Sequence, residues 1–247
     1  QEQALLAQYL EGVAKQGEQQ SEMGASAGIA LQAPPGREVT EDDSQLGQIL
    51  GLIMTGMMVF YAFFTGTSSA QNILEEEENG TLPRLFTTPT PVSTILTGKF
   101  LAIGITILVQ VVVLVLFGRF VFGIRWGKFL PVALMTVGVV VAASTFGLFV
   151  MSFVKNTRQA GVIYGGVVTV TGMLGMIRTF TFDAPNVPKS LHTITLLVPQ
   201  GWVLRGYSMA MLEGGTLGEF LLVFAVLMVW SAVFFGIGRA RLQRRFA

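Results

Sequence analysis

Apolar residues in this chain come in long uninterrupted blocks, and the charges that bound them are the most informative marks along it. Between Asp43 and Glu75 lie 31 uncharged residues, between Lys128 and Lys155 26, and 19 each between Lys99 and Arg119, Arg158 and Arg178, and Glu219 and Arg239. Each block is dense in Val, Leu, Ile, Phe, Met and Gly. A helix needs about 20 apolar residues to cross ~30 Å of hydrocarbon. The pattern therefore predicts five transmembrane helices, over about residues 46–67, 99–121, 129–154, 159–178 and 217–239. A sixth window, between Lys189 and Arg205, has 15 residues and is interrupted by His192 and Pro199. It is too short to cross, so residues 183–212 are read as an outer helical hairpin, re-entrant or interfacial. The expected fold class is an all-α polytopic membrane protein with a transmembrane domain over residues 44–247.

The polar interval between the first two spans, residues 68–97, has its own helical pattern. Ser68 to Asn79 favours a helix, and Gly80 suits the left-handed position that ends one. Thr81 is placed to cap a second short helix, in which Pro83 falls within the tolerant first turn. Pro89 and Pro91 end that helix, and Thr90 is placed to cap the next. The interval thus reads as a helical elbow along one membrane face. Glu75 to Glu78 wrap around its first helix, and some of them must face a partner, lipid headgroups or solvent.

Composition agrees with a membrane chain. Its 247 residues are 51% hydrophobic and 13% charged, with Phe 19 and Gly 29, where a soluble domain is about 25% charged. Mean hydropathy is +0.61. These values argue against a disordered chain, a coiled coil and an ordinary soluble enzyme. The net charge of +1 supplies no field to recruit nucleic acid. Cys is 0 and His is 1, so neither thiol chemistry nor a zinc site is expected, and His192 reads as an interfacial residue. No Walker A loop, H-E-x-x-H or G-x-S-x-G motif occurs, so the chain is expected to be no enzyme and to bind no cofactor.

Residues 1–43 are polar and cannot bury a core alone; Ala4 to Lys15 has one helical apolar face, and Pro34-Pro35-Gly36 breaks any helix. The odd number of spans and a first residue of Gln1 suggest a fragment that has lost a span upstream, or a processed chain, and residues 1–43 read as a disordered tail or the end of a larger outer domain. Placing the C-terminus inside puts Arg84, Lys99, Lys155, Arg158, Arg239, Arg241, Arg244 and Arg245 on the cytoplasmic face. Basic residues clustered at span ends set orientation, so the N-terminal tail is expected outside, with the elbow and C-terminus cytoplasmic. The Arg239–Arg245 cluster reads as an anchor to lipid headgroups. Asp183, on an outer loop, reads as solvated.

Inside the spans no acidic or basic residue stands, which argues against a proton or cation relay. Gln110, Thr106, Ser144, Thr145, Thr169 and Thr171 are the polar groups there. Gln110 either lines a pathway or makes an interhelical hydrogen bond. The small-residue pairs Gly47/Gly51 and Gly161/Gly165 favour packing within the chain over a contact between copies.

Glu76-Glu77-Glu78-Asn79-Gly80-Thr81-Leu82, followed by Leu85 and Thr88-Pro89, resembles the Glu-x-Glu-x-Gly-Thr…Leu…Pro signature of ABC type-2 permeases. Lys99 at the start of the next span and Pro199-Gln200-Gly201-Trp202 before the last are similar to that family too, and the likeness covers roughly residues 46–245. The sequence departs from the family pattern at Glu77, where a basic residue is common, and at Pro83, where a polar one is usual. The resemblance implies the membrane subunit of an ATP-driven exporter in a bacterial or archaeal cell membrane, lacking the family's first span. It implies ATP used by a separate ATPase subunit, and a second permease copy or a paralogue as partner beside membrane lipid. It further implies that Glu76, Glu78, Gly80, Thr81, Leu82, Leu85 and Pro89 form the elbow that meets the ATPase, with Glu76 and Glu78 offering charge to it or pinning the elbow by hydrogen bonds. The cargo expected from the uncharged spans is apolar or amphipathic. The rivals are an ion-driven secondary transporter and a non-transporting membrane docking or assembly protein.

Overall fold

The computed structural model of the chain describes residues 41–87, 89–181 and 188–246, and the expectations for residues 1–40, for Thr88 and for Asp183 lie outside the described residues. In chain order the helices are α1 (Glu41–Glu78), α2 (Thr81–Phe86), α3 (Val92–Val121), α4 (Phe129–Met151), α5 (Thr157–Phe180), α6 (Lys189–Thr195), α7 (Pro199–Ser208) and α8 (Leu217–Phe246), with a short π-helical turn, Met209–Glu213, after α7. No strand occurs among the described residues. Among the described residues, five helices carry stretches long and apolar enough to cross a membrane, namely Gly47–Glu78, Thr97–Val121, Phe129–Met151, Thr157–Ile177 and Leu217–Arg241. The protein is an all-α, multi-pass membrane protein.

The first span and the first elbow helix are one uninterrupted rod. The 38 residues of α1 give a length of about 57 Å at ~1.5 Å per residue, well beyond ~30 Å of hydrocarbon. Nothing between Thr67 and Glu75 stops a helix: neither Pro nor Gly stands there, and Ala70, Ile73 and Leu74 are buried. The elbow is therefore the projecting end of a spanning helix. α3 likewise begins at Val92, before its apolar block, with Pro91 rather than Thr90 at the N-cap position; an extended Pro91 (φ −64°, ψ 139°) needs no side-chain cap to start the helix.

α4 is the central helix. Of its most apolar window 67% is buried, against 17% for α3 and 28% for both α5 and α8. It packs against α8, α1, α3 and α7. A run of rings joins three of these helices, Phe63 of α1 to Phe146 of α4 (5.4 Å between centroids) and Phe146 to Phe234 of α8 (5.4 Å). α1 and α4 touch backbone to backbone where Gly66 meets Gly147: a Cβ on Gly147 would stand 2.2 Å from the Gly66 carbonyl oxygen, and one on Gly66 2.4 Å from that of Ala143. Ala62 and Ala143, one turn before each glycine, are fully buried. Small residues on both helices permit this approach.

The α6–α7 hairpin enters the bundle at the end opposite the elbow. Tyr207 hydrogen-bonds Thr136 (2.9 Å) and Gly206 lies against Met135. Those α4 residues stand about 10 Å along the helix from its start at Phe129, at ~1.5 Å per residue. The hairpin is closely built, since a Cβ on Gly201 would lie 1.8 Å from the Thr195 carbonyl oxygen. The Trp202 indole donates to the Leu196 carbonyl (2.8 Å) and the Trp126 indole to that of Val115 (2.9 Å). Gly127 (φ 91°) completes this end, with no room for a side chain against the Ala210 carbonyl.

Candidate functional site

The elbow is built from the last turn of α1. Glu76 and Glu78 are two residues apart, about 200° around a helix of 3.6 residues per turn, so they reach to different sides. Glu76 forms an ion pair with Lys99 of α3, and both side chains are partly sheltered. The Glu78 carboxylate accepts the backbone N–H of Thr157 (2.8 Å) and also its hydroxyl. Thr157 is the first residue of α5, where backbone N–H groups lack partners within the helix and a negative charge is favoured. Asn156, the N-cap, accepts from the Gln159 N–H (2.9 Å). The two glutamates thereby tie the end of α1 to α3 and to α5. Glu75 takes a hydrogen bond from Gln71, one turn earlier (3.2 Å).

Gly80 adopts the left-handed conformation (φ 70°, ψ 10°) and is itself the N-cap of α2. Thr81 is the first residue of α2 rather than its cap. The left-handed turn folds the chain back over α1, so the Thr81 hydroxyl donates to the Glu76 carbonyl (3.0 Å), one of the acceptors that a helix end leaves without an intrahelical donor. Leu82 is fully buried and anchors α2, while Arg84, Leu85, Thr87 and Pro89 are exposed. Helix α2 ends at Phe86, ahead of Pro89.

The polar groups within the spans are mostly self-contained. Thr106, Ser144, Thr145 and Thr171 each donate to the carbonyl four residues before. Gln110 is half-buried on α3 and makes no side-chain hydrogen bond among the described residues. The amide that joins two helices is Gln200 of α7, whose Nε2 donates to the Thr171 hydroxyl of α5 (2.9 Å). Gln200 is 1% exposed, and its Oε1 has no hydrogen-bond partner. The glycine pairs also differ from expectation. Gly51 packs on Ile124 and Met211, but Gly47, Gly161 and Gly165 have no atom within 4 Å of the Cβ they lack. Packing within the chain therefore does not explain Gly161/Gly165. In place of a tight interface, α5 leaves that face open, next to exposed Val162, Val170 and Met173.

Residues 1–239 match the model of a protein family described as ABC-2 family transporter protein. The chain belongs to the ABC-2 transporter family. It is also similar to the linearmycin resistance permease protein LnrN of Bacillus subtilis (strain 168), at 23% identity over 188 residues, which cover 76% of this chain and 48% of that protein. The chain spans about half the length of this relative.

Within this ABC-2 family chain, four features escaped the reading of the sequence. Thr157 carries a signal, since Asn156-Thr157 is an N-cap pair opening the fourth span. Ala62/Gly66 and Ala143/Gly147 are small-xxx-small pairs as legible as the two that were singled out, and these are the ones that pack. Gln200 stands in the Pro-Gln-Gly-Trp stretch, but nothing local marks it as buried. That Lys99 pairs with Glu76, 23 residues away, follows only from the turn of the elbow.

Proposed function

We propose that the chain is the membrane permease subunit of an ABC exporter. It forms half of a translocation pathway for an apolar or amphipathic substrate and couples through the elbow, residues 68–97, to a separate ATPase subunit that uses ATP. The observation that carries this reading is the elbow itself: a rigid projection of a spanning helix, closed by the left-handed Gly80 and tied by Glu76 and Glu78 to the two neighbouring spans. A helix of this kind passes a push on the elbow directly into the membrane. The family supports the ATPase partner. One chain of five or six spans supplies half a pathway, hence a second copy or a paralogue. The resistance permease among its relatives supports an outward direction. The same reading places the N-terminal tail outside and the C-terminus in the cytoplasm.

The test is purification of the full-length tagged chain from native membranes in mild detergent, with identification of co-eluting chains and assay for vanadate-sensitive ATP hydrolysis. Co-elution of an ATPase bearing a Walker A motif, weakened by Glu78→Lys, is the expected result. A stable complex without an ATPase would refute the reading in favour of a docking protein or an ion-driven transporter.

A further inference from the structure

We propose that Thr157 is a positioning residue through which displacement of the elbow is handed to α5. The inference rests on the coupling role given above to the elbow, and adds the route by which the motion leaves α1.

The first turns of α5 are loosely packed. Gly161, Gly165 and Gly166 face open space, and Val162 is 79% exposed. In this stretch Ala160 is buried and Tyr164 meets Phe64 of α1 edge-on (5.4 Å). The polar tie is the Glu78 carboxylate, which holds both donors of Thr157 at once. A charge-assisted, two-point bond at a helix N-terminus is short and directional, so it follows its partner rather than slipping along it. Closer to the membrane centre the rod is held differently, by backbone contact with α4 at Gly66 and Gly147. Glu78 lies 12 residues beyond Gly66, about 18 Å at ~1.5 Å per residue. A rod held at Gly66 and pushed at its far end moves most at Glu78, where Thr157 is attached. α5, whose glycine face is open, is free to follow. The Glu76–Lys99 pair gives α3 a tie from the other side of the same turn.

The test uses the full-length chain with its co-purified ATPase in lipid nanodiscs. This sequence has Cys 0, so Val162→Cys, with any cysteine in the rest of the full-length chain or in the ATPase replaced by serine, provides a reporter on the open face of α5, labelled with monobromobimane. The readout is the shift in bimane emission on adding ATP and vanadate, set beside ATP turnover measured in the same preparation before vanadate is added. We expect a clear shift in the parent and in Thr157→Ser, which keeps both donors. We expect Thr157→Val, which loses the hydroxyl alone, to lose at least half of the shift per ATP turned over, and Glu78→Ala to abolish it. A parent shift that both variants retain would overturn the proposal, as would a parent that shows no shift. Equal losses in Thr157→Ser and Thr157→Val would also overturn it, because they would mark a structural effect of any change there. Absence of vanadate-sensitive turnover from the parent would instead sink the coupling role itself, and the inference with it.

Discussion

The contact between Gly66 and Gly147 offers a sharp test of how the bundle is held together. Replacing Gly147 with Ala puts a methyl carbon 2.2 Å from the Gly66 carbonyl oxygen and 2.5 Å from its carbon. Ordinary contact begins at 3.4 Å, so the two helices must part by about 1 Å, a gap at which facing atoms already forfeit roughly a quarter to a half of their dispersion energy. The obstructing atoms are backbone and cannot rotate away. Overpacking costs about 1–3 kcal/mol in a soluble core; the central place of α4 puts this site at the upper end. Replacing a helical glycine with alanine returns up to ~1 kcal/mol of backbone entropy. The net loss expected is therefore about 2 kcal/mol, or roughly 4–8 °C in the unfolding midpoint of a chain of this size. The assay is thermal unfolding of the purified protein in detergent, followed by intrinsic tryptophan fluorescence. Gly236→Ala is the matched control, because Gly236 is exposed on α8 with nothing within 4 Å of the added methyl. It should keep or slightly raise the midpoint. Equal midpoints for the two variants would refute the claim that backbone contact between α1 and α4 is required.

Other expectations follow from single contacts. Gly80→Ala forces a side chain into the left-handed region (φ 70°), which costs about 1–2 kcal/mol; limited proteolysis should cut the elbow faster in this variant while the spans stay intact. Tyr207→Phe and Thr136→Val each remove the hydrogen bond that seats the hairpin and should each lower stability by about 1 kcal/mol. Because they break one interaction, the double variant should lose clearly less than the sum, as a double-mutant cycle would reveal. Lys99→Met removes a half-sheltered ion pair worth under about 1 kcal/mol. Its effect on the unfolding midpoint should fade between 50 mM and about 500 mM salt as screening grows, and a large salt-independent loss would contradict this placement.

The number of apolar helices, the left-handed glycine of the elbow and the short helices before the last span were legible in the amino-acid sequence. Each depends on local quantities: the length of an uncharged run against the thickness of hydrocarbon, the need for a residue without Cβ at a positive φ, and the breaks made by proline. The continuity of α1 through the elbow was local too, yet the change in polarity near Ser68 hid it, because a helix in water and a helix in lipid share one backbone geometry. What each helix faces was decided only by tertiary structure. The α3 window has the highest mean hydropathy, 2.9, yet is the least buried at 17%, whereas α4, at 2.1, is the most buried at 67%. In water an apolar face must find protein, so hydropathy points inward. In a bilayer the lipid is as apolar as the core, and shape and hydrogen bonding choose the neighbours instead. That is why Gly66 and Gly147 make a contact while Gly161 and Gly165 do not. It is also why the partners of Glu76, Glu78 and Gln200 emerged only when helices distant in sequence were set side by side.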